Sequence, residues 1–144
     1  MEPVSQDLGV LFAPRSVAVI GASNRAGSVG QAVFANVFKH GYAGVVYPVN
    51  PKAASVMSVK AFPSVLAIPD PVDLSIIIVP SALVPEVMEE CGKKSIKAAI
   101  VASLERLSQM VLDFAELKEL DINPFMVFDE GQGAAVVDAR IFIG

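Results

Sequence analysis

Short apolar runs alternate with glycine, proline and polar turns along the chain, and the period of the apolar positions changes from run to run. Val17, Ala18, Val19 and Ile20 form an unbroken apolar run rich in β-branched residues and cut by Gly21, which predicts a buried parallel strand. Val33, Phe34, Val37 and Phe38 then mark one face of a helix over 31–40. Val45 to Val49 predicts a second strand, ended within Pro48-Val49-Asn50-Pro51 because each proline lacks the N–H of a sheet ladder. Residues 53–62 carry no period and are expected to be irregular, and Ser64 is a candidate cap for a short helix reaching Ile68. Leu74 to Val79 predicts a strand covered on both faces and stopped by Pro80. Ser81 as N-cap, Pro85 in the first turn and a stripe of Val84, Val87, Met88 and Cys91 predict a helix ending at Gly92. Ile96 to Val101 predicts a further strand. Strands alternating with helices imply an α/β fold, a doubly wound parallel sheet. A C-terminal helix follows, with Ser103 as cap and Leu104, Leu107, Met110, Val111 and Phe114 on its apolar face, and then a β-hairpin.

Bulk properties narrow the class. A chain of 144 residues is one domain by length, large enough to bury a core. Hydrophobic residues make up 53%, charged ones 18%, and mean hydropathy is +0.57, so some apolar surface is expected to meet a partner. The cluster Leu8, Val10, Leu11 and Phe12 is expected to cover an edge of the sheet. The apolar, uncharged stretch Leu74 to Pro85 is far shorter than a membrane helix requires, so no membrane span is expected. The N-terminal residues lack the basic start and apolar segment of a secretory signal, which predicts a cytoplasmic protein. A single cysteine, Cys91, excludes an internal disulfide and reads as a buried apolar group on its helix. The net charge of −4 argues against broad nucleic-acid binding. His40, at a helix end, is expected to interact with the last carbonyls.

The candidate chemistry lies between the first strand and the first long helix. Gly21, Ala22, Ser23, Asn24, Arg25, Gly27, Ser28 and Val29 form a glycine-rich loop opening a helix, a setting in which backbone N–H groups face a phosphate and the helix dipole favours its charge. The dinucleotide fingerprint G-x-G-x-x-G would place a glycine at Ser23 and an acid near the end of the next strand. That strand ends instead in Asn50-Pro51-Lys52, and a cation there suits a ligand with an additional phosphate, coenzyme A or NADP rather than NAD. Lys52 is the expected phosphate contact.

Leu11 to Arg15, the Ser16 to Gly30 run, Tyr47 to Lys52 and Asp73 to Pro80 together resemble the CoA-binding domain of the NDP-forming (ADP-forming) acyl-CoA synthetases, relatives of the succinyl-CoA synthetase α subunit. The resemblance covers roughly residues 8–101. It implies a Rossmann-like domain over 1–101 that takes coenzyme A, with the pyrophosphate against the loop and Val79 and Pro80 lining the adenine or pantetheine side.

Beyond Val101 the resemblance changes. Residues 102–144 resemble the last segment of the ATP-grasp domain of the same enzymes, as though the front of a synthetase were joined to its back. Glu119, Asp121 and Asn123 share one face of a strand by alternation, and Asp138 lies on the returning segment; oxygen ligands of this kind suit Mg²⁺. In the family the positions like Asn123 and Asp138 hold Mg²⁺ at the nucleotide, but the nucleotide-holding lysines and glycine-rich loop belong to the absent middle. The family also passes a phosphoryl group through a histidine, and His40 stands outside any matching motif. The leading expectation is therefore a CoA or acyl-CoA binding module without a complete catalytic apparatus. Alternatives are a subunit or fragment of an ADP-forming acyl-CoA ligase acting with partner chains, an NADP-binding regulator, and a gene remnant. The apolar tail is expected either to pack on the edge of its own sheet beside Ile96 to Val101 or, the favoured alternative, to drive dimerisation, so a homodimer or association with ligase subunits is expected.

Overall fold

Each predicted strand of the front part forms, and their order sets the site. The computed structural model describes residues 9–101 throughout and, beyond them, the strand backbones at 117–122, 125–127, 134–136 and 139–143. Strand β1 (Ser16–Ile20) is buried along its whole length and pairs in parallel with β2 (Val45–Val49) on one side. On its other side it pairs with β5 (Leu74–Ile77), which pairs in turn with β6 (Ala98–Val101), so the parallel sheet has the order β2-β1-β5-β6. Pro48 is tolerated inside β2 because β2 is an edge strand.

Both faces of the sheet are covered, as a doubly wound fold requires. Val17, Val19 and Leu74 face a cluster with Phe34 of helix α2 (Val29–Lys39), whereas Ala18, Ile20, Val49, Ile77 and Val101 face Val65, Ile68, Val72 and Cys91, the last on helix α3 (Val84–Lys93). Phe34 is completely buried and meets Phe38 edge-on at 5.2 Å between centroids. Burial pushes the Cys91 thiol up, and its Sγ lies 3.5 Å from the Ser75 hydroxyl, the inert apolar role expected of it. His40 Nδ1 lies 2.9 Å from the Asn36 carbonyl at the end of α2, as expected.

Several boundaries differ from expectation for local reasons. Of the N-terminal apolar cluster, Leu11 in helix α1 (Gly9–Phe12) packs on the core, but Phe12 is 78% exposed. Residues 53–62 are not irregular: β3 (Ser55–Val56) and β4 (Val59–Lys60) form a small antiparallel hairpin, and Phe62 bridges back to Val49. Ser64 precedes a 3₁₀ turn, Val65–Ala67, without a side-chain capping bond. β5 ends at Ile77 rather than Val79, although Ile78 N–H still donates to the Ile20 carbonyl at 2.7 Å. Ser81 does not cap α3; Ser81–Leu83 is a 3₁₀ turn, and α3 starts from Leu83 with Pro85 in its first turn. Gly92 does not end α3 either. The left-handed residue that closes it is Ser95 (φ 59), where Ile96 N–H reaches the Cys91 carbonyl and Ser95 N–H the Gly92 carbonyl, the paired bonds of a Schellman cap.

The amino ends of the strands are fastened by one buried carboxylate. Asp73 accepts from Arg15 N–H at 3.0 Å and from Lys97 Nζ at 3.0 Å, while its own N–H donates to Ser16 Oγ. The backbone hydrogen bond from Arg15 foremost, then the Lys97 ammonium, holds the Asp73 carboxyl below its usual range. A carboxyl depressed in the folded state contributes stability above its unfolded pKa and loses it as pH falls through the folded one. Thermal midpoints are therefore expected to fall on acidification below about pH 4, and Asp73→Asn should be less stable at neutral pH with a flatter acid limb. Parallel curves for the two proteins would remove Asp73 from the account.

In the tail, β7 (Leu117–Ile122) pairs antiparallel with β10 (Ala139–Ile143), and β8 (Phe125–Val127) with β9 (Ala134–Val136). The expected hairpin is thus doubled, with Asp121 opposite Arg140 in register. β8 runs near β6, with Cα atoms within 8 Å, at the free edge of the parallel sheet. The helix expected over 104–114, Asn123 and Asp138 lie outside the described residues.

Candidate functional site

The carboxyl ends of β1, β2 and β5 present three loops side by side, 21–28, 50–53 and 78–80, where ligands bind in open parallel sheets. Gly21 makes the first turn, with φ 96 and its N–H donating to the Val49 carbonyl at 2.9 Å. A Cβ on Gly21 would stand 1.9 Å from the Ile78 carbonyl oxygen, so this position admits no side chain. Gly30 is the close-packing glycine: a Cβ there would meet the Gly21 oxygen at 2.1 Å. The fingerprint's close helix-to-strand approach is thus made at Gly30, and its middle glycine is replaced by Ser23.

Ser28 caps α2. Its Oγ accepts from Gln31 N–H at 3.2 Å and donates to the Arg25 carbonyl at 2.7 Å. Gln31 Oε1 accepts from Gly27 N–H at 3.1 Å, a variant of the reciprocal capping box that Ser-x-x-Gln spacing signals and the sequence reading passed over. The amides of Val29 and Gly30, which open the helix, have no hydrogen-bond partner among the described residues, leaving the donors that the positive end of the helix dipole offers to an anion.

The expected contacts divide by what their side chains already do. Arg25 and Lys52 are exposed, and neither forms an ion pair among the described residues. Ser23 Oγ accepts from Arg25 N–H at 3.0 Å and can still donate. Asn50 is engaged: its Nδ2 donates to the Ala22 carbonyl at 2.8 Å and its Oδ1 accepts from Lys52 N–H at 2.8 Å, tying the second loop to the first. Asn24 is engaged as well, at both ends of its amide. Pro51 is exposed beside Lys52, Val79 packs on the α3 face of the core, and Pro80 is exposed. Gly21 to Arg25, Gly27 to Val29, Asn50 to Lys52 and Val79 to Pro80 thus lie on three neighbouring loops at the carboxyl ends of the strands. No group of three or more His, Cys, Asp or Glu side chains that could hold a metal occurs among the described residues.

Unpaired cations beside free helix-end amides, with no carboxylate paired to them, suit a phosphorylated ligand. Comparison with known proteins agrees. The profile of the CoA binding domain family matches residues 15–124. The chain is 50% identical over 97 residues to acetate–CoA ligase [ADP-forming] II of Archaeoglobus fulgidus, covering 67% of this chain and 14% of the relative. It is 46% identical over 100 residues to the alpha subunit of acetate–CoA ligase [ADP-forming] I of Pyrococcus furiosus, covering 67% of this chain and 22% of the relative. A shorter match, 48% over 46 residues, covers 31% of this chain and 20% of the beta subunit of acetate–CoA ligase [ADP-forming] II from the same organism. Among solved structures, the dinucleotide-forming acetyl-coenzyme A synthetase 1 of Ca. Korarchaeum cryptofilum, in complex with phosphate and ADP, superposes with TM-score 0.66 at 36% identity over 75% of this chain and 25% of that one. The chain thus spans less than a quarter of the length of either ligase chain that its longer matches reach.

Proposed function

The chain belongs to the CoA binding domain family, and from that membership we propose that it is a CoA- or acyl-CoA-binding module, a fragment of an ADP-forming acyl-CoA ligase that works with partner chains. The observation that carries the reading is the pairing of free amides at the start of α2 with two unpaired cations, Arg25 and Lys52, on neighbouring loops. In the proposed arrangement the pyrophosphate lies against the loop from Ser23 to Val29, Ser23 donates a hydrogen bond, and Arg25 and Lys52 neutralise phosphate charge. Gly21 and Gly27 supply the backbone turns. Asn50 and Pro51 set the direction of the Lys52 loop, and Val79 and Pro80 face the adenine or pantetheine.

The division after Val101 belongs to the same proposal. The parallel sheet of the described residues ends with β6 there, and a stretch of this chain is also similar to a ligase beta subunit over 46 residues. The tail after Val101 would carry the Mg²⁺ positions Asn123 and Asp138, with the nucleotide-holding residues supplied by another chain. No helix among the described residues is long and apolar enough to cross a membrane, and we place the protein in the cytoplasm with the ligase subunits or a second copy as its partner. The test is an assay with ATP, CoA and acetate, in which the isolated protein is expected to release no ADP above background until a chain bearing a nucleotide site is added. Sustained, CoA-dependent ADP release by the protein alone would overturn the fragment reading.

A further inference from the structure

Asn24 lies in the most exposed part of the ligand loop, yet both ends of its amide are engaged on another element. Its Nδ2 donates to the Ser55 carbonyl at 2.7 Å, and its Oδ1 accepts from Met57 N–H at 2.9 Å. Both partners belong to the β3–β4 hairpin. That hairpin has only two paired residues on each strand, Ser55 with Lys60 and Val56 with Val59. Its tip, Met57-Ser58, holds both residues in the left-handed region, φ 47 and 66. Such a two-residue turn is favourable for Asn-Gly and strained for methionine and serine, and an isolated ribbon of this size is not stable in water. The tip therefore depends on what holds it from outside. Val56, completely buried, packs the inner face of the hairpin into the cluster that includes Ala22 and Phe34. Asn24 is the hydrogen-bonded link from the ligand loop to the tip.

The link acts in both directions. Between Ser23 and Gly27 the loop is largely exposed; Ser28 and Gln31 hold Arg25 and Gly27 to the start of α2, and the Asn24 amide holds the loop to the hairpin. A loop ordered in advance binds its ligand without the entropic cost of being ordered at that moment. We propose that Asn24 is a positioning residue for the ligand site, which splints the β3–β4 hairpin to the loop so that the order of the hairpin and the binding of ligand are coupled. The proposal rests on the CoA reading and refines it: Asn24 acts through the hairpin, not by touching the ligand. Coupling of this kind is reciprocal, so ligand on the loop must protect the hairpin as much as the hairpin strengthens ligand binding.

The experiment combines calorimetric titration with CoA and hydrogen exchange at the Met57 amide, on the full chain. In the parent protein CoA is expected to slow Met57 exchange. Asn24→Ala is expected to weaken CoA binding by roughly tenfold and to abolish that ligand-dependent slowing, with the thermal midpoint little changed because the site is exposed. Adding Ser58→Gly to Asn24→Ala relieves the left-handed turn and is expected to restore part of the lost affinity. Unchanged affinity in Asn24→Ala would overturn the inference, and so would a loss that Ser58→Gly fails to relieve, since that marks a direct ligand contact. A parent protein that binds no CoA would overturn the functional reading and this inference with it, an outcome separate from the other two.

Discussion

Replacing Gly21 by alanine is expected to lower the thermal midpoint by roughly 10 °C or more, the largest effect of any single substitution in the loop. Two independent costs meet at this position. Its φ of 96 lies where an L side chain is strained, and a Cβ would stand 1.9 Å from the Ile78 carbonyl oxygen. That oxygen belongs to backbone directly after β5, and Ile78 is itself held by its N–H bond to Ile20, so it cannot move aside without parting the central strands. Backbone strain and steric overlap each cost about 1–3 kcal/mol. The neighbouring glycines provide the internal scale. Gly30 meets the Gly21 oxygen at 2.1 Å without a positive φ, and Gly27 has φ 76 with nothing within 4 Å. Urea unfolding of the three alanine variants should rank the losses Gly21, then Gly30, then Gly27. A Gly21→Ala protein as stable as Gly27→Ala would show that the close approach of the turn to β5 is not what the loop is built on.

The sequence specified the strands well where apolar runs meet strong punctuation. Val45 to Val49 is bounded by Gly44 and Pro51, and β2 has those limits in the structure; Val17 to Ile20 is bounded by Gly21, and β1 adds only Ser16. The hairpin at 55–60 escaped because two-residue strands show no alternation and Met57-Ser58 carries no turn signal. The ends of α3 escaped for a similar reason, since the left-handed closing position falls on Ser95 while Gly92 sits inside the helix. At the site, the location was legible and the division of labour was not. Which loops converge follows from parallel strand order, a consequence of topology. That Asn24 and Asn50 spend their amides on neighbouring backbone, whereas Arg25 and Lys52 remain unpaired, depends on contacts between residues far apart in sequence. The sequence marks Asn24 and Asn50 as candidate ligand contacts, and the structure adds that both amides also tie neighbouring loops together.

Lys52→Ala is expected to weaken CoA binding about tenfold to a hundredfold, since a hydrogen bond to a charged group contributes about 1.5–3 kcal/mol. The side chain has no partner to lose within the described residues, so its removal should leave the thermal midpoint of the free protein unchanged. Its backbone N–H is held by Asn50 Oδ1, which fixes the root of the side chain at the mouth of the site. Dephospho-CoA separates the two phosphates the lysine could serve. A larger loss for CoA than for dephospho-CoA assigns Lys52 to the 3′-phosphate, and equal losses assign it to the pyrophosphate. No loss with either ligand would remove Lys52 from the site.

The same structural feature predicts which ligand the loops prefer. Dinucleotide sites of this topology use an acid near the end of the second strand to hold ribose hydroxyls, and here the corresponding segment is Asn50-Pro51-Lys52. Calorimetric titration of the protein with CoA and, separately, with NAD tests this directly. Saturable heat with CoA, together with an affinity for NAD at least tenfold weaker, is the predicted result; NAD bound as tightly as CoA, or CoA giving neither heat nor thermal stabilisation, would contradict it.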